Sequence, residues 1–136
     1  MSKITATRID NDEQRLQILP HHFDADYLRV ELSLYDKLSQ LSEDYQGGYW
    51  HMYRLSNGAM YMAPAIVDKK LRVVVDTNFY KGEVSADAAG IITCLFVFNG
   101  LCWDHPDRDD YIELFYSLRE FAADHPEAQE IFRAID

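Results

Sequence analysis

Basic residues are scarce in this 136-residue chain: 13 Lys and Arg stand against 23 Asp and Glu, for a formal charge of −10. Such a chain repels phosphates and anionic membranes, so direct nucleic-acid binding is not expected. Cysteine is scarcer still, with only Cys94 and Cys102, too few for a disulfide scaffold. The segment MSKITATRIDNDEQR mixes charges and has no apolar core, so no signal peptide is read there. No stretch approaches 18 uninterrupted apolar residues, and no membrane span is read either. The expectation is a soluble, cytoplasmic protein with reduced, buried thiols. The motifs GxGxxG, GxSxG, HExxH and CxxC and the Walker loop are all missing, as are repeats and linkers.

What is present suits one domain over residues 1–136. Apolar residues make up 48% and aromatics 13%, far above disordered chains. Lys3 to Ile9 reads as a short strand and Asn11 to Phe23 as a helix broken near Pro20. Asp26 to Tyr45 reads as a helix with Leu28, Leu32, Tyr35, Leu38 and Leu41 on one face, ended by Gln46-Gly47-Gly48. Tyr49 to Pro64 reads as a hairpin around Asn57-Gly58. A two-residue type I′ turn would pair Ser56 with Ala59 and Arg54 with Tyr61. Both faces of that hairpin are apolar, so its strands should be central or covered on both sides.

Leu71 to Asp76 is β-branched and reads as a third strand, with Thr77 to Tyr80 extending it or starting another. Ser85 is read as the N-cap of an apolar helix running to about Asn99. Asp107 to Ala123 is amphipathic, and His125-Pro126 is read as opening a last short helix docked by Ile131, Phe132 and Ile135. Strands clustered between helical blocks indicate α+β: a small antiparallel sheet with a central Asn-Gly hairpin, packed by several helices.

Candidate chemistry is sparse. His21 and His22 are adjacent and so point in different directions, which disfavours a shared metal. Cys94, Cys102 and His105 match no common zinc spacing and lack a fourth ligand. His51, with Tyr53 and Tyr61, is read first as packing and second as a pocket. No metal or cofactor is expected. The strongest feature is charge: from Asp104 to Asp136, ten acidic residues face three arginines, a net of −7. Asp104, Asp107, Asp109, Asp110 and Glu113 are its densest part and the candidate contact for a basic partner surface. Solvated helix-start carboxylates are the plainer account of the same residues.

Three segments add a resemblance. YQGGYWHMYRLSNGAMYMAP (45–64), SADAAGI (85–91) and the ending HPEAQEIFRAID together resemble the ArdB/KlcA antirestriction family. Ala59 and Met60 stand where a second glycine and an aromatic are expected after LSNG, and Gln46 where an acid is common. The resemblance implies a protein that relieves type I restriction of incoming mobile DNA. Its partner would be the type I restriction endonuclease complex or an associated host protein. The family carries no agreed catalytic site, so no catalytic residue is carried over. Two competing readings are partial mimicry of DNA by the C-terminal carboxylates and an enzyme built around His51.

Overall fold

In the computed structural model, residues 3–136 are described. β1 (Ala6–Arg8), β2 (Trp50–Leu55) and β3 (Met60–Pro64) form one antiparallel sheet in the order β1-β2-β3, and β4 (Leu71–Val75) pairs with β5 (Tyr80–Val84) in a second. Around them lie α1 (Asp12–Phe23), α2 (Tyr27–Leu41), α3 (Ala86–Asp104), α4 (Asp109–Ala123) and α5 (Ala128–Ile135). The α+β architecture matches the sequence expectation. The strand order differs from one small sheet because β5, left open in the sequence, pairs only with β4.

α3 is the axis of the core. It starts where Ser85 Oγ accepts from the Ala88 amide at 3.1 Å, and it is buried along most of its length. Its length and apolarity would suit a membrane span, but here that surface is spent inside the fold. It continues past Asn99 and exposed Gly100, because Leu101 still packs inward and the ladder closes at His105 N–H on Leu101 O. The helix lies against the outer edge of β3, so all five β3 residues are buried although β3 is an edge strand. Gly90 permits this approach: a Cβ there would collide with Met62 O and with Ala63. One turn on, the buried Cys94 thiol accepts from Met62 N–H at 3.4 Å and faces Met62 O at 3.6 Å, so it serves backbone groups of an edge that no strand pairs. Burial pushes that thiol up to about 12. Cys94 and Cys102 are eight residues apart on one helix, roughly 12 Å of rise, which no disulfide can span.

The hairpin turn differs from the type I′ expectation, which needs positive φ at both central residues. Only Gly58 has it, at 92°. Gly58 N–H donates to Leu55 O at 3.0 Å and Leu55 N–H to Ala59 O at 2.9 Å, so the loop has three residues, Ser56 to Gly58. Tertiary contact decided this. The Asn57 amide donates to Ser117 O of α4 at 2.9 Å while its oxygen accepts from Ala59 N–H at 3.2 Å, leaving the left-handed position to Gly58. The register slips by one: Arg54 faces Met60 and Tyr53 faces Tyr61. A one-residue slip moves a whole strand's side chains to the other face.

Other boundaries moved for local reasons. α1 runs through Pro20, losing one amide donor, since buried Ile18, Leu19 and Phe23 hold it in place. α2 stops at Leu41 and not at the glycine pair, because Ser42 is extended and Asp44 reaches Arg72 on β4 through the Arg72 amide (2.9 Å), Nε (3.1 Å) and Nη2 (2.8 Å). Its buried stripe is Val30, Leu34, Leu38 and Leu41, while Leu28 and Leu32 stand 58% and 61% exposed on the opposite side. α4 begins at Asp109, so Asp107 lies in the preceding turn. α5 begins at Ala128, after His125-Pro126.

Gly90→Ala should destabilise the fold by about 1–3 kcal/mol, since backbone and not a flexible side chain must give way. A denaturant melt checks it; an unchanged midpoint would show that α3 can shift off β3 freely.

Candidate partner-binding face and the clasp behind it

α3 and α4 are joined by a tight turn that carries the acidic cluster. Asp104 ends α3, Asp107 sits in the turn, Asp109 and Asp110 open α4, and Glu113 is one turn further. All five are exposed. The structure groups them only in part. Asp110 and Glu113 line a depression with His21, His22 and the Asn57-Gly58 turn. Asp104 instead faces the groove between α2 and α3, beside Arg29 and Lys37. Asp110 is tied up by Arg108, which donates to it through Nε (2.9 Å) and Nη2 (2.7 Å) and reaches Asp24 at 3.1 Å. That guanidinium holds the Asp110 carboxyl below the usual range. Asp104, Asp107, Asp109 and Glu113 form no ion pair among the described residues.

The three arginines of this segment are turned onto rings. Arg108 lies over Tyr111 at 4.1 Å, Arg119 over Phe132 at 5.0 Å, and Arg133 over Tyr80 at 5.7 Å. Cation–π contacts of this kind hold the cations close to the fold. The outer face of α4 is thus left with Asp109, Glu113 and Glu120, and with Ile112 and Tyr116 exposed between them.

Behind α4 lies a closed polar clasp made of segments far apart in sequence. Tyr61 OH donates to Asp87 Oδ1 at 2.7 Å. His125 Nδ1 accepts from the Glu127 amide at 3.0 Å, so Nε2 carries the proton and donates to Asp87 Oδ2 at 2.9 Å. Glu127 in turn takes the Ser85 amide at 2.8 Å and the Ser85 hydroxyl. Both His125 nitrogens and both oxygens of each carboxylate are used, which makes this a structural network with no spare base. Burial and the Asp87 charge push the Tyr61 phenol far above its ordinary value.

The slipped register brings His51, Tyr53 and Tyr61 onto one sheet face. Tyr53 stacks on Tyr61 at 4.6 Å, and His51 meets Tyr49 and Tyr53 edge-on at 5.8 and 6.2 Å. Burial, then Arg8 and Arg15, lower the His51 pKa. Cys94, Cys102 and His105 are not brought together: Cys94 is committed to Met62, and no grouping of three or more metal-binding side chains occurs among the described residues. Sequence reasoning missed Arg108 as the group that neutralises Asp110, and it missed the clasp. Its only sequence signal was the presence of SADA and HPEA.

Two expectations follow. Asp87→Ala would orphan Tyr61 OH and His125 Nε2 and should lower stability by about 2–3 kcal/mol by thermal melt. His22 is lowered from 6.5 to about 4, chiefly by burial, then by His21 and Arg54. The unfolded chain therefore takes up the proton first as pH falls. Stability should be complete above pH 6.5 and decline towards pH 4, by on the order of 2 kcal/mol after allowing for partial exposure. The slope should flatten in His22→Gln; an equal slope in both proteins would assign it elsewhere.

Comparison with known proteins places this geometry. Residues 43–136 match the family described as antirestriction protein. Antirestriction protein KlcA of Escherichia coli is 44% identical over 141 residues, covering 99% of this chain and 95% of that protein. The putative antirestriction protein YubI of Escherichia coli K12 is 35% identical, covering 90% and 89%. A solved structure superposes with a TM-score of 0.89 at 41% identity, covering 100% of this chain and 99% of the other. It is described as belonging to the KlcA and ArdB proteins, with a novel fold and antirestriction activity against type I DNA restriction systems in vivo but not in vitro. The segments that form the clasp, the hairpin turn and the Gly90 contact are those on which the resemblance rested, and the chain belongs to the antirestriction protein family.

Proposed function

We propose that this chain relieves type I restriction of incoming DNA by docking its acidic α4 face on a protein. That protein is the restriction complex or a host factor controlling it. The observation that supports this most is the sorting of charge around α4: Arg108 and Arg119 are held against rings and Asp110, while Asp107, Asp109 and Glu113 are exposed and form no ion pair among the described residues. A basic protein surface would be attracted to such a face. Ile112 and Tyr116 lie exposed among the carboxylates, and imitation of phosphates requires no apolar surface, which favours a protein contact over DNA mimicry. The solved relative acts in vivo but not in vitro, which favours a target present in the cell. Inhibition would act by occupancy and not turnover, in the cytoplasm, where restriction occurs.

The test is phage plating on cells carrying a type I system, with the methylation state of the DNA followed in parallel. The wild-type chain should restore plating while leaving modification intact. Asp107→Asn, Asp109→Asn and Glu113→Gln combined should lose relief by about tenfold or more with the melting temperature lowered by only about 2–4 °C, since none of these side chains forms an ion pair among the described residues and only the Asp109 charge favours the start of α4. Full relief by the folded triple variant would remove the α4 face as the contact. Asp110→Asn should also lower stability, because it weakens the hold on Arg108.

A further inference from the structure

The β4–β5 turn repeats the asparagine clamp of the β2–β3 turn, although its loop has four residues, Asp76 to Phe79, and not three. In β2–β3, the Asn57 oxygen accepts from Ala59 N–H, its amide donates to Ser117 O of α4, and the bridged residue is Gly58 at φ 92°. In β4–β5, the Asn78 oxygen accepts from Tyr80 N–H at 3.0 Å and its amide donates to Ala134 O of α5 at 2.8 Å. The bridged residue there is Phe79, at φ 62°. Three non-glycine residues among those described have positive φ, and the other two are Asp24 and Asp68, a residue type that tolerates it. A bulky side chain there is an outlier. Burial would offset the strain, but Phe79 is 89% exposed, the highest value among the exposed large hydrophobics. Glycine or asparagine would suit the free protein better on both counts.

We infer that Phe79 is a contact residue: an apolar knob on a held turn that enters an apolar pocket on the protein through which this chain relieves restriction. The inference rests on the function proposed above. The backbone that carries the ring is held from two sides, by the paired hairpin and by the Asn78 clamp to the end of α5, so little backbone freedom is lost when the ring is bound. An apolar ring has no stability role in that position, whereas aromatic side chains are enriched at protein interfaces. A protein pocket fits better than a lipid surface or a nucleobase, because the chain's net charge of −10 opposes approach to phosphates of either kind.

The experiment compares Phe79→Gly, Phe79→Asn and Phe79→Leu with wild type, by melting temperature and by phage plating on a type I host. The Gly and Asn variants should melt at the wild-type temperature or roughly 2–4 °C above it, since strain is released, and should lose relief by about tenfold. Leu keeps the knob and should retain relief. Full relief by folded Phe79→Gly or Phe79→Asn overturns the knob while leaving the proposed function standing. A lower melting temperature in both shows that the ring supports the fold, and overturns it too. No relief by wild type overturns the proposed function and this inference together. Phe79-dependent binding to lipid vesicles would overturn the assignment to a protein pocket.

Discussion

The contact that the rest of the structure depends on is the close approach of α3 to the edge of β3. Gly90 lets the helix backbone reach Met62 and Ala63, and the Cys94 thiol occupies backbone groups that another strand would otherwise satisfy. An edge strand that is buried and unpaired would be costly, and one that is exposed would invite association. Covering it with a helix removes both problems. With α3 fixed there, its remaining sides bury α2, α4 and α5, and the second sheet closes the end of the core.

The same helix organises the polar interior. Its N-terminus presents Ser85 and Asp87, and the turn before α5 returns with His125 and Glu127 to meet them. These charged and polar groups are closed on one another, as groups in a partly buried setting must be to avoid an unpaired desolvated atom. On the outside the opposite holds. Arg108, Arg119 and Arg133 lie on aromatic rings, and the carboxylates of α4 other than Asp110 form no ion pair among the described residues. Folding thus makes one face more negative than composition alone requires.

Much of the fold was legible from local chemistry. Ser85 as a cap, the apolar helix after it, the Asn-Gly hairpin and the α4 stripe all follow from short-range rules of capping, periodicity and turn preference. The failures share one cause. The hairpin register slipped because Asn57 bonds Ser117, sixty residues away. α2 ended early because Asp44 leaves it for Arg72. Leu28 and Leu32 were placed in the core because periodicity alone cannot tell which of two apolar stripes on α2 the fold uses. The acidic cluster was visible as a charge run, but its division was not: Asp110 belongs to Arg108, Asp104 faces another groove, and Asp107, Asp109 and Glu113 stay unpaired.

By itself the sequence determined the acidic charge, the α+β class, the Ser85 start of the core helix and the family resemblance, because these depend on residue types and on spacings within a turn or two. Tertiary structure alone decided the strand register, the stripe of α2 that is buried, the closure of His125 on Asp87 and Tyr61, and the placing of Phe79 at a left-handed position in solvent. Each of these depends on a contact between residues far apart along the chain, and such contacts exist only once the helices have packed on the sheets.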